Sequence, residues 1–168
     1  MSLPPLALPE NQLAIRRAAL AHCAEQDWAA LNEFALPDGR RADIMALLPD
    51  QTLACIEIKS GPADFRLDQK WPDYRAWSDQ LFFAVDDRFA LDLLPDDVGI
   101  IVAATSTLAP LPGIVADCAI VRPAPRHPLA PARRRTLTTL FARTAAQRLM
   151  RLEDPQITAS LRAARRVD

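Results

Sequence analysis

Three short apolar runs joined by two tight turns fill residues 30–59, and they leave the chain few ways to fold. Pro37-Asp38-Gly39 separates runs 30–36 and 41–48 and is a hairpin signal. The favoured loop is a type I turn with proline first and glycine in the left-handed position. That loop pairs Leu36 with Arg40 and sets Glu33 opposite Asp43. Pro49-Asp50-Gln51 makes a second turn, and 52–59 reads as a third strand. Along it Ala54, Ile56 and Ile58 face one way, while Leu53, Cys55, Glu57 and Lys59 face the other. A helix predicted over 10–27 carries Leu13, Ala14, Leu20, Ala21 and Ala24 at helical spacing, with Asn11 as its N-cap. The expected unit is an antiparallel meander packed on that helix.

Beyond it, Pro62 suits a helix start, and a short turn or helix is expected over 64–70. A second helix is expected from Pro72 to about Asp79, with proline at its first position. Segments 80–85 and 98–104 are apolar on both faces and read as buried strands. A polar connection over 86–97 joins them. Residues 1–9 read as a loose lead, 105–112 as a loop and 113–122 as an edge strand. Four prolines in 123–131 make a linker or brace. The strongest helix signal is 132–152, followed by a shorter basic segment at 157–166.

At 168 residues one domain is expected, with a core at about 11–122, a proline-rich connection at 123–131 and a helical segment at 132–168. Three distant cysteines, Cys23, Cys55 and Cys118, argue against a disulfide framework or zinc knuckle. No secretory signal or run of about 18 apolar residues is evident, so the expected location is cytoplasmic. His22 and His127 lack zinc-ligand spacing, no serine has a nucleophile-elbow context, and four glycines make no phosphate-binding loop. The net charge of −1 hides an asymmetry: residues 1–118 sum to −9 and residues 119–168 to +8. A basic tail of this kind can bind phosphate, or dock on the acidic body of its own or a second subunit.

Glu57 and Lys59 are out of place in an otherwise apolar strand. They share a face at roughly 7 Å, and the hairpin register brings Asp43 alongside. Buried charge is costly unless it is paired or ligates a metal. Mutual repulsion between two carboxylates is relieved by a divalent cation, and hard oxygen donors suit Mg²⁺ or Mn²⁺. Lys59 could then orient or deprotonate an attacking water, or stabilise a phosphate. These are the parts of a phosphodiester hydrolase.

The pattern Asp43…Glu57-Ile58-Lys59 resembles the active site of the PD-(D/E)XK nuclease superfamily. The resemblance implies an α/β, restriction-endonuclease-like fold: a mixed central sheet flanked by helices, here with a C-terminal basic helix. It implies Asp43 and Glu57 as metal ligands, the Ile58 carbonyl as a further one, and Lys59 serving the nucleophilic water. It makes Glu33 an auxiliary acid. In some branches a Gln and a Tyr four residues later follow the site, and Lys70 and Tyr74 hold that spacing. Glu33-Phe34, Gly39 to Leu47, Glu57 to Ser60, Ala63 to Arg66, Asp68 and Lys70 to Tyr74 are together similar to the MmcB-type bacterial DNA repair proteins. Asp79, Phe82 to Val85 and Leu129 to Arg134 extend that similarity over about residues 11–152. This family is linked to resistance to DNA cross-linking damage, so DNA is the implied partner, acted on by a Mg²⁺- or Mn²⁺-dependent deoxyribonuclease. Fold analogy adds a homodimer that reaches both strands.

Arg41, Arg66, Lys70 and Tyr74 are the candidate nucleic-acid contacts. Trp71, Tyr74 and Trp77 could stack on bases, although a spacing of three favours one core-facing stripe. The competing function is a non-catalytic DNA-binding or protein-interaction module that keeps the fold.

Overall fold

A computed structural model describes residues 8–105, 115–154 and 156. Elements follow in the order α1 (Leu8–Glu25), β1 (Ala29–Ala35), β2 (Arg41–Leu47), β3 (Leu53–Ile58), α2 (Pro62–Leu67), a 3-10 helix (Trp71–Trp77), β4 (Gln80–Asp86), a 3-10 turn (Leu91–Leu93), β5 (Gly99–Ala103), β6 (Cys118–Arg122) and α3 (Pro131–Glu153). The chain forms two compact units, Met1–Leu129 and Ala130–Asp168. The first is a mixed α/β body and the second holds α3. The expected basic segment at 157–166, most of the loop at 105–112, and the starts of the lead and of the edge strand lie outside the described residues.

Six strands form one sheet in the order β1-β2-β3-β4-β5-β6. β1, β2 and β3 are antiparallel neighbours, β3, β4 and β5 run parallel, and β6 returns antiparallel. The hairpin has the expected register, with Phe34 against Ala42 and Asn32 against Ile44. Its turn closes through Leu36 N–H to Arg40 O at 2.8 Å and Gly39 N–H to Leu36 O at 3.0 Å. Gly39 sits at φ +86°, where a Cβ would strain the backbone. At the second turn Leu48 N–H reaches Thr52 O at 2.9 Å.

α1 begins at Leu8, two residues before the expected start, because Pro9 lacks an N–H only where the first helical turn has no partner for one. Asn11 is therefore inside the helix. Its amide donates to Asp86 Oδ2 at 2.9 Å and Ser60 O at 3.2 Å, pinning α1 to the ends of β3 and β4. Ile15, Ala18, Ala19 and Cys23 of α1 share a core with Ile44, Ala46, Ala54, Ile56, Ile58, Phe82, Ala84 and Ile101. The odd-numbered residues of β3 and β4 face the other way. There Phe83 meets Phe65 and Trp71 edge-on, with ring centroids 5.5 and 5.4 Å apart, so the segment after β3 folds back over this second face.

The proline-rich stretch is a brace. Buried Asp79 accepts Leu53 N–H and Leu129 N–H, each at 2.9 Å, and its carbonyl accepts His127 N–H at 2.7 Å. Among the described residues no helix is long and apolar enough to cross a membrane.

Candidate active site

Continuing the β2–β3 register past Ile44 and Ile56 brings Asp43 beside Glu57. The carboxylates take over the backbone ladder at that point. Ile58 N–H donates to Asp43 Oδ2 at 2.9 Å, and Asp43 N–H donates to Glu57 Oε1 at 3.2 Å. Each side chain thus holds the other's strand, and two acids are fixed side by side next to the apolar core. The Cys55 thiol donates to the same Glu57 oxygen at 3.8 Å.

Electrostatics follow from that confinement. Glu57 is 4% exposed. Burial first, and the charge of Asp43 second, push its pKa up to about 8. Burial also raises Asp43, against the hydrogen bond from Ile58 N–H and the positive charge of Lys59. Burial and the same two acids hold the Cys55 thiol neutral. Burial, followed by the charge of Glu57, also pushes the Tyr74 hydroxyl above its ordinary range.

One oxygen of each acid, Asp43 Oδ1 and Glu57 Oε2, accepts no hydrogen bond from the described residues. A pair of mutually repelling carboxylates with unused oxygen donors fits a hard divalent cation such as Mg²⁺ or Mn²⁺. The described residues bring together no group of three or more His, Cys, Asp or Glu side chains able to hold a metal. The remaining donors for a cation here would be the Ile58 carbonyl and water.

Lys59 extends the β3–β4 ladder through its N–H to Ala84 O at 2.9 Å. Its side chain is 5% exposed, and its ammonium lies 5.8 Å from the Phe83 ring centroid. It pairs with Asp68 Oδ2 at 2.6 Å, and neither Asp43 nor Glu57 lies within ion-pair distance. Partial burial would raise Asp68, but the Lys59 and Lys70 N–H hydrogen bonds outweigh it and hold the acid below its ordinary value.

Glu33 sits opposite Asp43 in the register, at φ +47°. Its carboxylate is engaged on both sides, by Arg16 Nη2 at 2.6 Å and by Arg41 Nε. Of the candidate nucleic-acid contacts, Arg41, Arg66 and Lys70 are exposed. Tyr74 is buried, and its hydroxyl donates to Arg41 O at 3.1 Å, so it supports the start of β2 rather than presenting a ring. Sequence reasoning missed the partner of Lys59; the available signal was that a buried lysine requires a counter-charge.

Fold and site together define a mixed α/β domain with a carboxylate pair, buried Glu57 beside half-buried Asp43, and a buried lysine. The family model for DNA repair protein MmcB-like matches residues 2–156. The chain belongs to the MmcB-like DNA repair protein family, and a role in DNA repair attaches to it through that membership. A solved structure, that of a protein of unknown function from Silicibacter pomeroyi, is 36% identical, with a TM-score of 0.76 over 93% of this chain and 96% of that one. No curated protein matches the chain.

Proposed function

We propose that the protein is a metal-dependent deoxyribonuclease of the PD-(D/E)XK type, with a restriction-endonuclease-like fold, that hydrolyses DNA phosphodiesters during repair. The observation that carries this reading is the confined pair Asp43 and Glu57, each pinned by the other's strand and each with an unused oxygen. Two like charges in a dry setting are unfavourable for stability alone, and a bound cation converts them into a site.

Asp43, Glu57 and the Ile58 carbonyl would hold Mg²⁺ or Mn²⁺. When bound, the cation neutralises the pair and supplies Lewis-acid stabilisation of the phosphate. Lys59 brings a buried positive charge to the same face, where it serves the attacking water and the negative charge carried by the phosphoryl oxygens. Arg41, Arg66 and Lys70 are exposed cations on segments adjoining the site and would meet backbone phosphates. Glu33 acts through Arg16 and Arg41 as an auxiliary acid. A second copy of the chain would reach the opposite strand.

A second reading, a DNA-binding or protein-interaction module without catalysis, draws on the small acidic donor set, since Glu33 is already engaged by two arginines. Mn²⁺ titration by calorimetry separates the two. The nuclease reading expects binding by the wild type and its loss in Asp43→Asn; equal heats from both proteins would contradict it.

A further inference from the structure

α2 has six residues, and none of them is buried. Leu67 at its end is 84% exposed. Hydrophobic burial therefore contributes little to holding this helix, apart from Phe65 against Phe83. Its anchors are two carboxylates that reach back to the end of β3. Near the start, Asp64 Oδ2 accepts Ser60 N–H at 3.0 Å and the Ser60 hydroxyl at 3.2 Å. Just past the end, Asp68 accepts the Lys59 ammonium at 2.6 Å.

Asp68 is itself fixed from two sides. Its N–H closes the helix on Asp64 O at 3.3 Å and Phe65 O at 3.2 Å. Its second oxygen accepts Lys70 N–H at 2.9 Å. The carboxylate is thus oriented by backbone before it meets the lysine. Lys59 has four rotatable side-chain bonds and, among the described residues, no other ion-pair partner. Without Asp68, no carboxylate within ion-pair distance would fix where its ammonium lies.

We propose that Asp68 is a positioning residue for the site: it sets the location of the Lys59 ammonium and ties it to the exposed, cation-bearing segment that carries Arg66 and Lys70. The proposal deepens the nuclease reading and rests on it for its catalytic consequence. A displacement of about 1 Å in a catalytic group can lower a rate on the order of 10²-fold, so Asp68→Ala should reduce kcat by about that factor with little change in KM. Asp68→Glu should restore part of the loss. Adding Asp68→Ala to Lys59→Ala should cost nothing further, because Asp68 acts only through Lys59.

Lys59 and Lys70 are the only lysines in the chain. Protein labelled with ¹⁵N-lysine therefore gives at most two side-chain ammonium signals, independently of any activity. The wild type should show a slowly exchanging signal that vanishes in Lys59→Ala, vanishes in Asp68→Ala and returns in Asp68→Glu, with the backbone spectrum of each variant reporting that it is folded. A signal that persists in Asp68→Ala, or a double variant that loses more activity than Lys59→Ala alone, would overturn the proposal. If the wild type cuts no DNA with Mn²⁺, the nuclease reading fails, while the ammonium spectrum still decides whether Asp68 positions Lys59.

Discussion

Replacing Glu57 by Gln should stabilise the metal-free protein at alkaline pH. The amide is nearly isosteric, and its oxygen can still accept Asp43 N–H, which is 3.2 Å from Glu57 Oε1. What it removes is a buried negative charge beside another. The Glu57 carboxyl is pushed from 4.5 up to about 8 by burial and by Asp43. At about 1.4 kcal/mol for each tenfold change, the ionised form costs the fold a few kcal/mol, with about 5 kcal/mol as the ceiling. The folded pKa lies above the unfolded one, so the stabilising contribution of the proton is complete below about pH 4.5 and is lost as pH rises through about 8.

Thermal unfolding in chelator should therefore place Glu57→Gln above the wild type at pH 9, by roughly 5–15 °C for a chain of this size. The difference should shrink towards pH 5. Excess Mn²⁺ should raise the wild type and leave Glu57→Gln nearly unmoved, since the added stability scales with occupancy. A variant no more stable than wild type at pH 9, or one whose advantage grows towards acid, would mean that the Glu57 charge does not burden the fold.

Other positions give independent checks on the frame that holds the site. A Cβ at Gly99 would lie inside van der Waals contact of the Phe82 ring and 2.8 Å from Ala124 Cβ, so Gly99→Ala should lower stability by about 1–3 kcal/mol in chemical denaturation. Asp79→Ala strands the N–H groups of Leu53 and Leu129 and should cost about 2–4 kcal/mol, with faster amide exchange at both residues. Asn11→Ala removes donors to Ser60 O and Asp86 Oδ2 and should cost about 1–3 kcal/mol in the same denaturation assay.

The sheet around the site was legible because its signals are local. Pro37-Asp38-Gly39 sets the turn, the turn sets the register, and the period of two sets which side chains share a face, so Asp43 and Glu57 meet as the spacing implies. What escaped sequence reading depends on chain segments brought together from a distance. Asp68 reaches Lys59 only once α2 has folded back across the sheet. Asn11 reads as a cap because its distant partners, Ser60 and Asp86, leave no mark near it in sequence. Asp79 looks like the end of a helix, yet it clamps the proline-rich brace to β3. The spacing of Tyr74 favoured the core without excluding base stacking, and tertiary packing buries its ring. Pro72 lies in a 3-10 helix rather than at the first position of an α-helix, and that segment begins one residue before it, at Trp71.

The proposed activity requires that the carboxylate pair and Lys59 together cut DNA. The direct measurement incubates wild type and Lys59→Ala with labelled single-stranded, duplex, flapped and cross-linked DNA, with Mn²⁺ or with chelator. The expected result is cleavage by the wild type only, and only with metal. Binding without cutting, unchanged by Lys59→Ala, would contradict that activity and leave the non-catalytic module.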